Sequence, residues 1–151
     1  MEEIWEVENI PGNDNLYRRV HFQMYNSKNP DIVPPSAFKN SPENDKNLST
    51  DWSKYTTPKG VHDLIAKQYK ANKVEFKNPN DFFILTINVQ KIIDLNIEQT
   101  VEHTPIQNIP EQCGNPNNRA HASIIGEKTT EEIRLKLSYI SSWILKPNRS
   151  H

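Results

Sequence analysis

Residues 16–25 read LYRRVHFQMY. In an extended chain Leu16, Arg18, Val20, Phe22 and Met24 fall on one side, and Tyr17, Arg19, His21, Gln23 and Tyr25 on the other. Period two and aromatic enrichment predict a strand. Its apolar side should face a core, yet Arg18 shares that side. A buried-side charge must be paired, extend to water along its stem, or face a cavity. Arg18 is therefore the more informative of the two arginines.

Working outward, FFILTINV at 82–89 is apolar enough for a central strand, whereas IEQTVEH at 97–103 and AHASIIG at 120–126 read as further strands. Residues 48–51 form a short extended piece. Thr57 and Pro58 have the chemistry of an N-cap and a first helical position, and Val61, Leu64, Ile65 and Tyr69 follow at helical spacing. Asn88 is placed to cap a short turn through Ile92, Ile93 and Leu95. Thr129-x-x-Glu132 reads as a capping box before a helix over 130–145, with Ile133, Leu137, Ile140 and Ile144 as its stripe and Pro147 as its terminator. The expected fold is α+β: a mixed or mostly antiparallel sheet of four to six strands, with helices over 58–70 and 130–145 packed on it.

A chain of 151 residues suits one domain. Residues 1–15 are expected to form an edge strand or arm, and 26–47 a long loop anchored to the core by Ala37 and Phe38. The 18 basic and 19 acidic residues nearly cancel, so no overall charge draws the chain to nucleic acid or acidic membranes. Six lysines stand between 54 and 77 against Asp63 and Glu75, a pattern that suits a solvated helix face. The mean hydropathy of -0.80 implies a small core with generous polar loops. The apolar run at 82–89 falls far short of the roughly 20 residues a membrane helix needs. The acidic opening, Glu2, Glu3, Glu6 and Glu8, has the wrong sign for a secretory leader. With its single cysteine, Cys113, the chain is expected to be soluble and cytoplasmic, without membrane association.

Several chemistries are disfavoured. His103, Cys113 and His121 are spaced as H-x9-C-x7-H, which matches no compact zinc pattern, so no metal is assigned. Cys113 lies beside Glu111, which would raise a thiol's pKa and weaken it as a nucleophile. No Gly-x-Ser-x-Gly elbow occurs, and with four glycines there is no phosphate-cradling loop. Glu98 and Glu102 would lie about 13 Å apart along a strand, too far to share a proton. No cofactor is assigned.

What remains is a set of binding and reactive groups near strand ends. Arg18, His21, Ser49 and Glu102 are the candidate catalytic residues, and Arg19, Thr50, Tyr55 and His121 the candidate ligand-binding residues. A cation on the first strand, Ser49-Thr50 on a second strand before a helix, and Glu98 or Glu102 on a later strand are similar in layout to ADP-ribosyltransferase domains. The resemblance covers strand order and three residue types, without the usual Gln/Glu-x-Glu spacing. It implies that a cation holds dinucleotide phosphates, a hydroxyl orients the neighbouring groups, and an acid stabilises an oxocarbenium-like centre.

The residues favour a binding or interaction domain whose partner is another protein or a second copy of the chain. Trp5 and Trp143 are the candidate contact residues. The first alternative is a small enzyme handling an NAD-like or phosphorylated ligand. The second, a nucleic-acid-binding module built on Lys and Arg with Trp52, Tyr55 and Tyr69, is disfavoured by the neutral net charge.

Overall fold

The computed structural model describes residues 3–40, 46–68, 77–108 and 116–146. Tyr69, Cys113 and Pro147, each given a role above, lie outside them.

The alternating stretch forms strand β1 (Asn15–His21) and stops earlier than its pattern suggests. His21, the last residue of β1, also caps a 3-10 turn over Phe22–Met24, its Nδ1 accepting from Gln23 N at 3.3 Å. Phe22 and Met24 therefore fall outside the strand, and Met24 is 44 % exposed. The chain continues through a 3-10 turn at Pro35–Phe38, β2 (Asn47–Trp52), α1 (Pro58–Ile65) and β3 (Phe82–Asn88). Then come α2 (Val89–Asp94), β4 (Thr100–His103), β5 (His121–Ile125), α3 (Glu131–Tyr139) and β6 (Ser141–Leu145). The six strands form one antiparallel sheet in the order β4-β5-β2-β1-β3-β6. The fold is α+β.

Local chemistry accounts for the element ends. Thr57 Oγ1 accepts from Gly60 N at 3.0 Å and Pro58 opens α1, while Asn88 Oδ1 accepts from Lys91 N at 3.1 Å to start α2. The cap of α3 is Thr130, whose hydroxyl accepts from Ile133 N; Thr129 stands one residue before it. The strand expected from residue 97 begins at Thr100, because Asn96 and Glu98 turn the chain with φ of 54° and 57°.

The larger correction concerns 130–145. The helix stops at Tyr139, Ile140 breaks from helical geometry (φ -92°, ψ 1°), and residues 141–145 pair with β3 as β6. Ile133, Leu137 and Ile140 keep their helical stripe against the core, but Ile144 is 47 % exposed. Trp143, aromatic and suited to a strand, packs with Phe83 and Tyr25.

The two faces of the sheet are covered unequally. Leu16, Val20, Leu48, Trp52, Leu85, Ile87 and Ile124 form the main core with α2, α3 and the Pro35–Phe38 turn. Ala37 and Phe38 are buried there and anchor their segment. On the opposite face, α1 sets Val61 and Ile65 against Ile84, with Tyr17, Phe82 and Leu145 at the margin. These contacts fall on β1, β3 and β6. Among the described residues, the other half of that face, on β2 and β5, has no helix over it in this cluster.

One buried cation braces the β2–β5 end. Lys128 is 2 % exposed, and its Nζ donates to the carbonyls of Ile124 (3.0 Å), Gly126 (2.8 Å) and Lys46 (3.1 Å). Burial, then repulsion by Arg18, pulls its pKa down to about 8, leaving an ammonium with three donors at neutral pH. Replacing Lys128 by Met keeps the stem and deletes the donors. With each stranded buried group costing about 1–3 kcal/mol, Lys128→Met should destabilise the fold by about 3 kcal/mol in urea unfolding. An unchanged midpoint would remove this bracing role.

Candidate functional site

β1 and β2 pair at two positions, Leu16 with Trp52 and Tyr17 with Asp51, whereas β1 and β3 pair at seven and β2 and β5 at five. Beyond Tyr17 the two central strands part. The sheet is thus two three-stranded halves joined at one end, with a cavity of about 580 Å³ at the open end.

Arg18 occupies the parting. By alternation it shares the core side with Leu16 and Val20, and it satisfies its charge through backbone carbonyls. Nε donates to Ala37 O (2.6 Å) and Nη1 to Ser49 O (2.8 Å). Ser49 would be the next residue opposite Arg19 had the strands continued to pair. Arg18 has no carboxylate partner among the described residues. Burial, with a smaller contribution from Arg19, lowers its pKa to about 10, so it remains cationic at neutral pH.

Arg19 emerges on the opposite side, and its Nη2 lies 3.8 Å from Asp51 Oδ2. Its Nη1 donates to Gln68 Oε1 just beyond α1. Asp51 is 3 % exposed and accepts from Asn118 Nδ2 at 2.6 Å. Asn118 is held in turn by a two-way backbone bridge to Ile106. Among the described residues, the cavity lining contains three cationic side chains, Arg18, Arg19 and Lys77, and one carboxylate, Asp51. Tyr17 and Phe82 supply aromatic walls, and burial raises the phenol pKa of Tyr17.

His121, paired with Asp51 in the β2–β5 register, lines the same space. Its Nδ1 lies 2.9 Å from Thr104 O and 3.0 Å from Thr104 Oγ1, which is 3.0 Å from Ser123 Oγ. A carbonyl only accepts, so Nδ1 carries the proton and Nε2 is left as the acceptor. Burial lowers the pKa of this ring despite the opposing carbonyl bond and the Asp51 charge.

Of the eight candidates read from the sequence, Arg18, Arg19, Ser49, Thr50 and His121 line the cavity. Ser49 is exposed at its mouth, while Thr50 Oγ1 donates to Ala122 O (3.0 Å). The other three lie elsewhere. His21 caps the turn after β1. Glu102 is exposed on the edge strand β4, outside the lining. Tyr55 belongs to a separate cluster with Trp52 and His103, under the guanidinium of Arg119.

The N-terminal arm is tied to that cluster. Glu8 accepts from Lys54 and Tyr55, and its N–H donates to His103 Nδ1 at 3.1 Å. Tyr17 was legible as a lining residue, because alternation sets it beside Arg19. Gln68, Lys77 and Asn118 come from distant segments without a local signature. Among the described residues no group of three or more potential ligands is arranged to hold a metal ion, and no helix is long and apolar enough to cross a membrane.

The lowered His121 pKa has a signed consequence for stability. Between the folded pKa and 6.5 the unfolded chain binds the proton more readily, so stability rises with pH in that window. This contribution is complete above about 6.5 and is lost as pH falls below it. Denaturant unfolding of His121→Gln should therefore have a shallower acid-side loss than wild type; parallel profiles would contradict the buried neutral ring.

The chain matches no protein-family model, and no curated protein or solved structure matches it, so the site is read from its own chemistry alone.

Proposed function

We propose that this domain binds a small phosphorylated, nucleotide-like ligand in the parting between β1 and β2. The observation that carries this reading is a pair of guanidinium groups at a concave site: among the described residues, Arg18 and Arg19 line it with Asp51 as the carboxylate. Guanidinium groups suit phosphate because their planar forks match its oxygens. Arg18 uses two of its five N–H donors on carbonyls, leaving three for a ligand. The volume of about 580 Å³ lies within the roughly 300–1,000 Å³ of small-molecule sites. Tyr17 and Phe82 offer faces for a flat base. A single cysteine suits a reducing, cytoplasmic setting.

A thermal-shift screen with NAD⁺, ADP-ribose and AMP tests this reading. A probe at about 100 times its Kd should add about 2.7 kcal/mol of stability. Arg18→Met should weaken the best probe at least tenfold, as about 1.5–3 kcal/mol is typical of a hydrogen bond to a charged group. If no phosphorylated probe shifts the transition, or if Arg18→Met binds as wild type does, the reading fails.

A second reading, an interaction domain, rests on α3. Leu135 and Tyr139 stand four residues apart on one helical face and are 55 % and 90 % exposed. Trp143, by contrast, packs against the core. A protein partner or second copy covering α3 would bury this pair. Light scattering tests the second copy: a dimer lost in Tyr139→Lys supports it, and a monomer at all concentrations removes it.

A further inference from the structure

We propose that the groove bounded by Lys54, Tyr55, His103, Gln107 and Arg119 is a recognition site for an extended acidic peptide of a partner protein, which displaces the chain's own N-terminal arm. None of these five residues lines the β1–β2 cavity, so the site stands apart from the phosphate-ligand reading.

The groove reads a main chain through side chains. Gln107 Oε1 accepts from Trp5 N at 2.9 Å, and its Nε2 donates to Glu3 O at 2.6 Å. His103 Nδ1 accepts from Glu8 N at 3.1 Å. The Arg119 carbonyl, 2.7 Å from His103 Nε2, only accepts, so Nε2 carries the proton and Nδ1 is set as an acceptor without help from the arm. Trp52 and Tyr55 pack on this ring, which is only 1 % exposed, and hold it in place. Main-chain contacts supply affinity for an extended segment, and a side-chain pocket supplies selectivity. Here the pocket takes a carboxylate, since Glu8 accepts from both Lys54 and Tyr55.

The arm fills this groove incompletely. Ile4 and Val7 are 83 % and 72 % exposed, and Trp5 is half-buried. Among the described residues, no backbone–backbone hydrogen bond ties 3–10 to the rest of the domain. The firm attachment comes later, where Ile10 packs at the core margin and Gly12 O accepts from Gln90 N at 2.9 Å. Residues 3–8 therefore lift away without breaking a strand ladder.

Arg119 shows what a better-seated ligand would use. Its Nη2 lies 4.0 Å from Glu8 Oε2, beyond hydrogen-bond distance, and its buried Nε has no partner among the described residues. Buried donors without acceptors are rare. Nε and Nη2 form one side of the guanidinium fork, which matches the two oxygens of a carboxylate. Stacking on Tyr55, with Cζ 4.5 Å from the ring centre, holds that fork in position. The fitting partner is thus an extended segment with a carboxylate that reaches both nitrogens, and acidic overall to complement Lys54 and Arg119.

The test uses the full chain and a fluorescent peptide copy of residues 3–10, EIWEVENI, read by anisotropy. In wild type the tethered arm competes at an effective concentration on the order of millimolar, so peptide binding should be weak. Glu8→Ala unhooks the arm and should bind the peptide at least about tenfold more tightly, with added salt weakening the complex. Glu6→Ala, at an exposed arm position, should behave as wild type. A peptide with glutamine in place of the glutamate that copies Glu8 should bind the Glu8→Ala chain about tenfold more weakly or worse. Lys54→Met and Arg119→Met, each added to Glu8→Ala, should lose binding while circular dichroism stays unchanged. Equal binding by wild type and Glu8→Ala, no binding by either, or indifference to the carboxylate would overturn the site. A wild-type dimer in light scattering that Glu8→Ala converts to a monomer would give the groove to the arm of a second copy and overturn the partner-protein assignment.

Discussion

A guanidinium on the apolar side of a central strand is the constraint around which this structure is arranged. Arg18 cannot be buried as Leu16 and Val20 are, because a charge in apolar surroundings needs polar partners. It meets the carbonyls of Ala37 and Ser49, one on the turn that closes the core and one on the strand that would have been its continued partner. The Ser49 carbonyl is thereby satisfied without a β1 amide, and the parting of β1 from β2 leaves it no buried unpaired acceptor. The sheet stays joined where Leu16 meets Trp52 and Tyr17 meets Asp51. A hydrophobic seam at one end and a cation at the other together produce a cleft.

The unequal cover of the sheet decides the character of that cleft. On the α1 side, Val61 and Ile65 meet Ile84, so the β1-β3-β6 half is apolar and closed. On the β2–β5 half, alternation presents Ser49, Asp51, His121 and Ser123 to the same side, and these would be poor partners for an apolar helix. Polar side chains left beside a helix edge form a lined space instead of a core. Lys128, behind the same strands, adds a further cation whose field reaches Arg18. The positive character of the region therefore comes from at least three segments of a chain whose net charge is only -1.

The N-terminal arm shows the same economy of polar contacts. Glu8 is held by Lys54 and Tyr55, with Arg119 Nη2 4.0 Å away. His103, only 1 % exposed, accepts from the arm through Nδ1 and lies 2.7 Å from Arg119 O through Nε2. Tyr55 and Arg119 thus have a separate, occupied set of partners, although sequence proximity places them beside residues of the cavity. The one-residue step from Arg119 to Asn118 carries the chain from this cluster to the Asp51 carboxylate.

Period-two alternation and caps made much of the architecture legible from the residues alone. Strand β1, the central β3, the Thr57-Pro58 start of α1 and the Asn88 cap of α2 are written in local chemistry, because hydroxyl and amide caps act within three residues. The side of β1 on which Tyr17 and Arg19 fall is written there as well. The end of α3 was not legible: Ile140 and Ile144 continue a helical stripe, and only the open edge of β3 turns residues 141–145 into a strand. Nor were Gln68, Lys77 and Asn118 legible as neighbours of Arg19 and Asp51, since their approach depends on how distant segments close over the sheet. The chain by itself determined which side chains must find polar partners; the tertiary structure decided which partners those are, because burial, strand order and the parting of β1 from β2 are properties of contacts far apart in sequence.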